Sequence, residues 1–120
     1  MSECIFCKIV AGEIPADVVW QDEHVVAFRD IRPLAPVHVL IVPRKHRESF
    51  SDLTEEDGPF LASFARAVKE IAEAEGVARS GYRLLSNTGP DAGQEVFHLH
   101  VHLLGGRPLG PMLLRETAGV

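Results

Sequence analysis

The chain has 120 residues, 46% of them hydrophobic and 24% charged, with 12 Lys and Arg against 17 Asp and Glu. This length suits a single domain over residues 1–120 that buries about two-thirds of its unfolded surface. The net charge of −5 argues against nucleic acid as a partner, because binding to a phosphate backbone needs a basic face. No segment approaches the ~20 apolar residues that cross a bilayer, and no signal peptide is recognised, so we expect a cytoplasmic protein without a membrane partner.

The first part of the chain predicts a short helix and three strands. Apolar spacing over Cys4–Val10, ended by Gly12, is typical of a short helix. Val18–Trp20 and Val25–Phe28 are apolar and β-branched on either side of a polar stretch, which predicts a hairpin. His38–Val42 is a short apolar run between two prolines and predicts a buried strand.

The second part predicts one long helix and two strands. Thr54 is placed as the N-cap of a helix whose apolar residues recur at helical spacing from Phe60 to Ala72. Tyr82–Ser86 and Phe97–Leu104 predict two more strands. Strands interrupted by one long helix, without regular alternation, predict an α+β fold whose mainly antiparallel sheet is covered by that helix.

Three histidines at alternate positions give the strongest chemical signal: His98, His100 and His102. On a strand they would share one face at ~6.6–7 Å intervals, while the apolar residues between them enter the core. They could be solvated surface residues, metal ligands, or neutral imidazoles that attack an electrophilic phosphorus. The preceding glycine-rich loop, Asn87–Gln94, can turn backbone N–H groups towards a phosphate, which favours phosphoryl or nucleotidyl transfer.

Two cysteines form a Cys-x-x-Cys motif at Cys4 and Cys7. In a reducing compartment this spacing indicates a metal site or a redox pair rather than a structural disulfide. The redox interpretation is the weaker one, because the chain lacks the βαβ pattern expected around a thioredoxin-like motif.

The chain resembles the histidine triad (HIT) family, whose signature is His-x-His-x-His followed by two apolar residues. It is similar to the small nucleotide-binding branch that hydrolyses purine nucleoside phosphoramidates, from about Cys4 to Leu113. Further matching segments occur in the same order, among them Gly12–Ala16, Ala27–Ile31, Val42–His46 and Leu104–Arg107. The resemblance implies a five-stranded mainly antiparallel sheet with one long and one short helix, and a homodimer in which two such sheets join.

The resemblance also implies the chemistry. His100 would be the nucleophile that attacks the α-phosphorus of a purine nucleotide substrate, AMP-like or GMP-like, to leave a nucleotidyl-imidazole that water hydrolyses. His102 would donate to phosphate oxygens and help to move a proton to the leaving group. His38 would hydrogen-bond within this set.

Substrate contacts are implied for residues outside the triad. Asp30 would bind the ribose hydroxyls, although an aspartate at this position is also a common turn initiator. Charge on the phosphoryl oxygens would be stabilised by Asn87 and by the main chain of Gly93, Gln94, Glu95 and Val96. An apolar slot for the base would be formed by Ile5, Phe6, Ile9, Phe28 and Ile31. Almost any globular fold would bury the three isoleucines, so their role is partly a core role.

For the cysteines, the resemblance implies a structural zinc site. Its ligands would be Cys4, Cys7, His46 and His98, a Cys₂His₂ set that suits tetrahedral Zn²⁺. Spacing alone does not choose His46 over His24. No organic cofactor is expected.

Some alternatives stay open at this stage. Glu95 stands where some family members have a serine that reaches the phosphate, so its carboxylate is expected to repel anionic leaving groups. Other functions compatible with the sequence are a dinucleoside polyphosphate hydrolase, a nucleotide-binding scaffold with little catalysis, and a protein that uses its histidines only for metal.

Overall fold

The structure, a computed structural model, describes residues 4–113 as one antiparallel sheet and two α-helices. The helices are α1, Ile5–Val10, and α2, Gly58–Ala74; the strands are β1, Val18–Gln21, β2, Val25–Arg29, β3, Val37–Pro43, β4, Tyr82–Leu85, and β5, Val101–Gly105. The strand order is β1-β2-β3-β5-β4 and every pairing is antiparallel. The predicted α+β fold with one long and one short helix is confirmed.

Strand β3 is buried along its whole length because both faces of the sheet are covered. Val39 and Ile41 point towards α2 and belong to the larger apolar cluster. Leu40 and Val42 point to the other face, where they pack in a second cluster with Phe6 of α1. Since side chains alternate along a strand, His38 shares the α1 face with Leu40 and Val42. The short helix, not the long one, therefore lies over the histidines.

The N-cap prediction for the long helix was wrong by one turn. Thr54 caps a 3-10 turn, Glu55–Asp57, through a capping box in which Asp57 reaches back to the Thr54 N–H at 2.9 Å. Helix α2 begins afterwards at Gly58, with Pro59 in its first turn. Proline is well placed there because its missing N–H would have no partner within the helix.

The last strand is shorter than predicted, because it begins at Val101 and not at Phe97. The backbone before it is engaged elsewhere: the Leu99 N–H donates to the Arg47 carbonyl at 2.6 Å, and the His100 carbonyl accepts from the Ser86 hydroxyl at 2.9 Å. The predicted alternation nevertheless continues through this segment, since Leu99 and Leu103 both enter the core on the α2 face.

Within residues 4–113, neither helix combines the length and the apolar character that crossing a bilayer requires.

Candidate active site

Strands β3 and β5 bring two histidines together on the face covered by α1. In the β3–β5 register His102 lies opposite Leu40, two residues from His38. The two imidazoles are joined by a hydrogen bond of 2.9 Å between His38 Nε2 and His102 Nδ1. The predicted contact of His38 with the triad is thus present.

Hydrogen bonding assigns the tautomers of this pair. The Leu34 N–H donates to His38 Nδ1 at 3.1 Å, so the proton of neutral His38 lies on Nε2. That proton faces His102 Nδ1, with the Asp30 carboxylate 3.5 Å away from the same nitrogen. His102 therefore accepts at Nδ1 and carries its own proton on Nε2, where no partner is found among residues 4–113.

His100 has the opposite tautomer. Its Nδ1 lies 2.8 Å from the His98 carbonyl oxygen, which can only accept, so the proton is on Nδ1. In the neutral ring, Nε2 then has a free lone pair. The His100 ring is 5.1 Å from the His102 ring and 5.1 Å from the Phe6 ring, which packs against it edge to face. An imidazole oriented in this way can act as a nucleophile.

Burial keeps the paired histidines uncharged at neutral pH. It lowers the pKa of His102 to about 4, helped by the nearby imidazoles of His100 and His38 and opposed by the Asp30 carboxylate. Burial also lowers the pKa of His38, again opposed by Asp30. Both rings are therefore neutral before the reaction begins.

A cavity of about 340 Å³ opens beside His100 and His102. Its lining includes nearly all the polar site residues predicted from the sequence, together with one residue that was missed, Leu40: Phe6, Asp30, Leu40, Asn87, Gly93, Gln94, Glu95, Val96, His100 and His102. Leu40 was interpreted only as core. Its position two residues after His38 on a strand was the signal that it shares the site face.

The predicted apolar slot is only partly assembled. Phe6 lines the cavity, whereas Phe28 is buried behind it at a ring distance of 5.6 Å and Ile9 packs in the same cluster. Ile31 is 92% exposed and Ile5 is 47% exposed, so the expectation that both are buried was wrong. Ile31 lies in the connection between β2 and β3, where no element of the described chain covers it.

Backbone donors at the cavity are fewer than the sequence suggested. The N–H groups of Gly93 and Gln94 are used inside their own loop, by the carbonyls of Pro90 at 3.0 Å and Gly89 at 3.1 Å. The Gln94 side chain is also fully engaged and braces the loop. Within the described chain, the N–H groups of Glu95 and Val96 have no hydrogen-bond partner and can serve a phosphate.

A second group of residues lies at the N-terminal end of α1 and could hold a metal ion: Cys4, Cys7, His46 and His98. Their ligand atoms lie within 4.8 Å of one another. Sulfur to nitrogen distances are 3.4 Å for Cys4 to His98, 3.5 Å for Cys7 to His98 and 3.2 Å for Cys7 to His46. His98 is completely buried, and its Nε2 lies 2.9 Å from the Pro43 carbonyl oxygen, so its Nδ1 lone pair faces the sulfurs.

Asp30, His38 and His102 are also close enough to hold an ion. The Leu34 N–H occupies His38 Nδ1, so a neutral His38 presents a proton rather than a lone pair at the atom facing Asp30 and His102. A metal there would break this hydrogen-bond chain. The geometry favours proton transfer over metal binding.

Comparison with known proteins gives a consistent result. A model of the HIT domain matches residues 11–109. Purine nucleoside phosphoramidase of Escherichia coli (strain K12) is 52% identical over 114 residues, which are 95% of this chain and 96% of that protein. Protein HitA of Neisseria gonorrhoeae is 48% identical over 88% of this chain and 97% of its own length.

Solved structures agree with this comparison. A HIT family hydrolase from Legionella pneumophila Philadelphia 1 is 50% identical, with a TM-score of 0.86 over 90% of this chain and 96% of that one. A HIT family hydrolase from Clostridium thermocellum is 46% identical, with a TM-score of 0.90 over 95% of this chain and 99% of that one.

Proposed function

Because the chain is a hydrolase of the HIT family, we propose that it cleaves purine nucleoside phosphoramidates, or related conjugates of nucleoside monophosphates, at the α-phosphorus. The name of the E. coli relative supports this substrate class. The observation that carries the proposal is the tautomer of His100, which leaves Nε2 of the neutral ring unprotonated. His100 lines the cavity together with His102, whose own proton is on Nε2.

The first step is the attack of His100 on phosphorus. As the Nε2–P bond forms, the P–N bond to the amine breaks and its electron pair stays on the amine nitrogen. The His98 carbonyl stabilises the positive charge that develops on the ring, because it accepts the Nδ1 proton at 2.8 Å. Water then attacks the nucleotidyl-imidazole, which releases the nucleoside monophosphate and restores neutral His100.

Proton supply to the leaving amine is assigned to His102. A proton taken up from solvent by the hydrogen-bonded His38–His102 pair, whose rings are joined at 2.9 Å, lets His102 give its Nε2–H to the departing nitrogen and leaves both rings neutral. The Asp30 carboxylate, 3.5 Å from His38 Nε2, stabilises the positive charge of the protonated pair. The proton released by water in the second step returns to this pair.

Substrate binding uses the remaining cavity wall. The N–H groups of Glu95 and Val96, with the side chain of Asn87, are assigned to the phosphoryl oxygens. Asp30 accepts from the ribose hydroxyls. Phe6 and Leu40 supply an apolar surface for the purine, with Ile5, Ile9, Phe28 and Ile31 around or behind it.

The second residue group is proposed to hold a structural Zn²⁺ through Cys4, Cys7, His46 and His98. Bond lengths of about 2.3 Å to sulfur and 2.0 Å to nitrogen place a sulfur and a nitrogen ligand about 3.5 Å apart in a tetrahedron, close to the distances found. When bound, the ion would cross-link α1 to the segment before β5. His98 links the two sites, because its carbonyl orients the nucleophile His100.

We also propose a homodimer in the cytoplasm. Strand β4 is an edge of the sheet, and its residues Tyr82, Leu84 and Leu85 are between 36% and 40% exposed. An apolar edge of this kind suits pairing with a second copy. Sedimentation equilibrium should give twice the chain mass; a monomer at all concentrations would contradict this part of the proposal.

Hydrolysis of adenosine 5′-phosphoramidate tests the function. Wild type and His24→Ala, which changes a histidine on the β1–β2 turn, should hydrolyse it, whereas His100→Ala should lose at least about a thousandfold in kcat. AMP binding without hydrolysis by wild type would favour a nucleotide-binding scaffold instead.

A further inference from the structure

The cavity that we assign to a phosphate is acidic. Within residues 4–113, its lining holds two carboxylates, Asp30 and Glu95, and neither lysine nor arginine. The imidazole of His102 does not compensate, because burial lowers its pKa to about 4 and the ring is neutral at neutral pH. A ligand with several negative charges would therefore be repelled from this cavity.

The two carboxylates differ in what surrounds them. Asp30 is engaged: one oxygen accepts from the Arg32 N–H at 2.8 Å and the other lies 3.5 Å from His38 Nε2. Glu95 is exposed, and within the described chain no hydrogen bond or ion pair involves its carboxylate. Its charge therefore remains available to whatever enters the cavity.

The backbone around Glu95 is held in place. Gln94 donates to the carbonyls of Glu48 at 2.6 Å and Val96 at 3.1 Å, and accepts from the Gly89 N–H at 2.9 Å. The residues on both sides of Glu95 are thus braced, and its own N–H is one of the unpaired donors at the cavity. Glu95 is therefore held at the wall of the cavity that we assign to the phosphate and its leaving group.

We propose that Glu95 selects the leaving group by charge, so that the preferred substrates are phosphoramidates whose amine carries a further positive charge. This inference rests on the proposed phosphoramidate hydrolysis and deepens it. The amine departs with the P–N electron pair and the proton of His102 as the His100 Nε2–P bond forms, and a carboxylate nearby stabilises a cationic amine throughout. Dinucleoside polyphosphates, whose leaving group is polyanionic, are disfavoured by the same charge.

The size of the effect follows from Coulomb's law. Unit charges about 7 Å apart, at an effective dielectric between that of water and about half of it, change kcat/KM by about 3-fold to 8-fold per charge. The preference should weaken as salt is raised from 10 mM to 500 mM, because both charges are near solvent.

Three adenosine 5′-phosphoramidates of matched length test the proposal, with 3-aminopropyl, butyl and 3-carboxypropyl amines as leaving groups. Wild type should rank them by kcat/KM in that order, with steps of about 3-fold to 8-fold. Glu95→Gln should bring the three values to within about 2-fold, and Glu95→Lys should reverse the order. Glu23→Gln removes the same charge from an 88% exposed side chain on the β1–β2 turn and should keep the wild-type order.

The outcomes distinguish a failure of the role of Glu95 from a failure of the proposed phosphoramidate hydrolysis. If all three compounds are hydrolysed but wild type does not rank them, or Glu95→Gln keeps the wild-type ranking, the role of Glu95 is wrong and the proposed function stands. If wild type hydrolyses none of them, nor the unsubstituted phosphoramidate, both are overturned.

Discussion

Gln94 offers a sharp test of how the loop before the triad is held. Its side chain makes three hydrogen bonds, with the Gly89 N–H at 2.9 Å, the Glu48 carbonyl at 2.6 Å and the Val96 carbonyl at 3.1 Å. At a net value of about 0.5–1.5 kcal/mol each, and with part of the loss recovered by water at this half-buried site, Gln94→Ala should lower the free energy of unfolding by about 1–3 kcal/mol.

Gln94→Glu is the more informative variant, because it keeps the size of the side chain. Its carboxylate can still accept from the Gly89 N–H, but it faces the carbonyl oxygens of Glu48 and Val96 without a proton to donate. We expect a stability loss at least equal to that of Gln94→Ala above pH 6, and partial recovery near pH 4 as the carboxylate is protonated.

Urea unfolding at pH 7 and pH 4 measures both variants, and kcat on adenosine 5′-phosphoramidate reports the effect on the site. Gln94→Met, which has similar length and no hydrogen-bonding amide, should resemble Gln94→Ala in stability. Wild-type stability in Gln94→Ala and Gln94→Met would refute the bracing role. A destabilised Gln94→Ala with unchanged kcat would show that the loop does not position the phosphate donors.

Three further predictions concern pH, core packing and metal. Folding lowers the pKa of His102 from 6.5 to about 4, so the unfolded chain takes up the proton first as the pH falls. The stability contribution of neutral His102 is complete above pH 6.5 and declines by up to about 1.4 kcal/mol per pH unit between pH 6.5 and 4. The free energy of unfolding, measured with urea at several pH values, should therefore fall more steeply with decreasing pH in wild type than in His102→Asn. Leu103→Ala, at a position with 0% exposure, should cost about 2–5 kcal/mol in the same assay, and a loss below about 1 kcal/mol would contradict the assigned packing. Protein purified without chelator should carry about one Zn²⁺ per chain, and Cys4→Ser should lower both zinc content and Tm; normal folding of metal-free wild type would refute the zinc site.

The sequence predicted the fold well because its periodic signals come from burial. The alternation around His98–His102 and the apolar spacing of α2 follow directly from which face meets the core. Errors arose where a local rule competed with tertiary contacts. Thr54 obeys the capping rule but caps a 3-10 turn, since Pro59 sets the start of the helix. The segment at His98 has the alternation of a strand. Its Leu99 N–H donates to the Arg47 carbonyl instead of a neighbouring strand.

At the site, it was easier to predict which residues take part than which contacts each of them makes. That the Gln94 side chain braces a loop depends on its contact with a remote segment, the Glu48 carbonyl. The exposure of Ile31 depends on how the β2–β3 connection is covered. The spacing of Leu40 from His38 indicated that Leu40 shares the site face. It was assigned to the core because the whole strand is apolar and buried.

The central claim is that His100 attacks phosphorus and carries the nucleotidyl group. Intact mass spectrometry after a rapid, non-acidic quench of enzyme with adenosine 5′-phosphoramidate measures this directly, because phosphorus–imidazole bonds do not survive strong acid. We expect one added nucleotidyl group per active site during turnover, located on the peptide that contains His100 and absent from His100→Ala. Turnover without any adduct in rapid-quench samples, or an adduct on another residue, would contradict it.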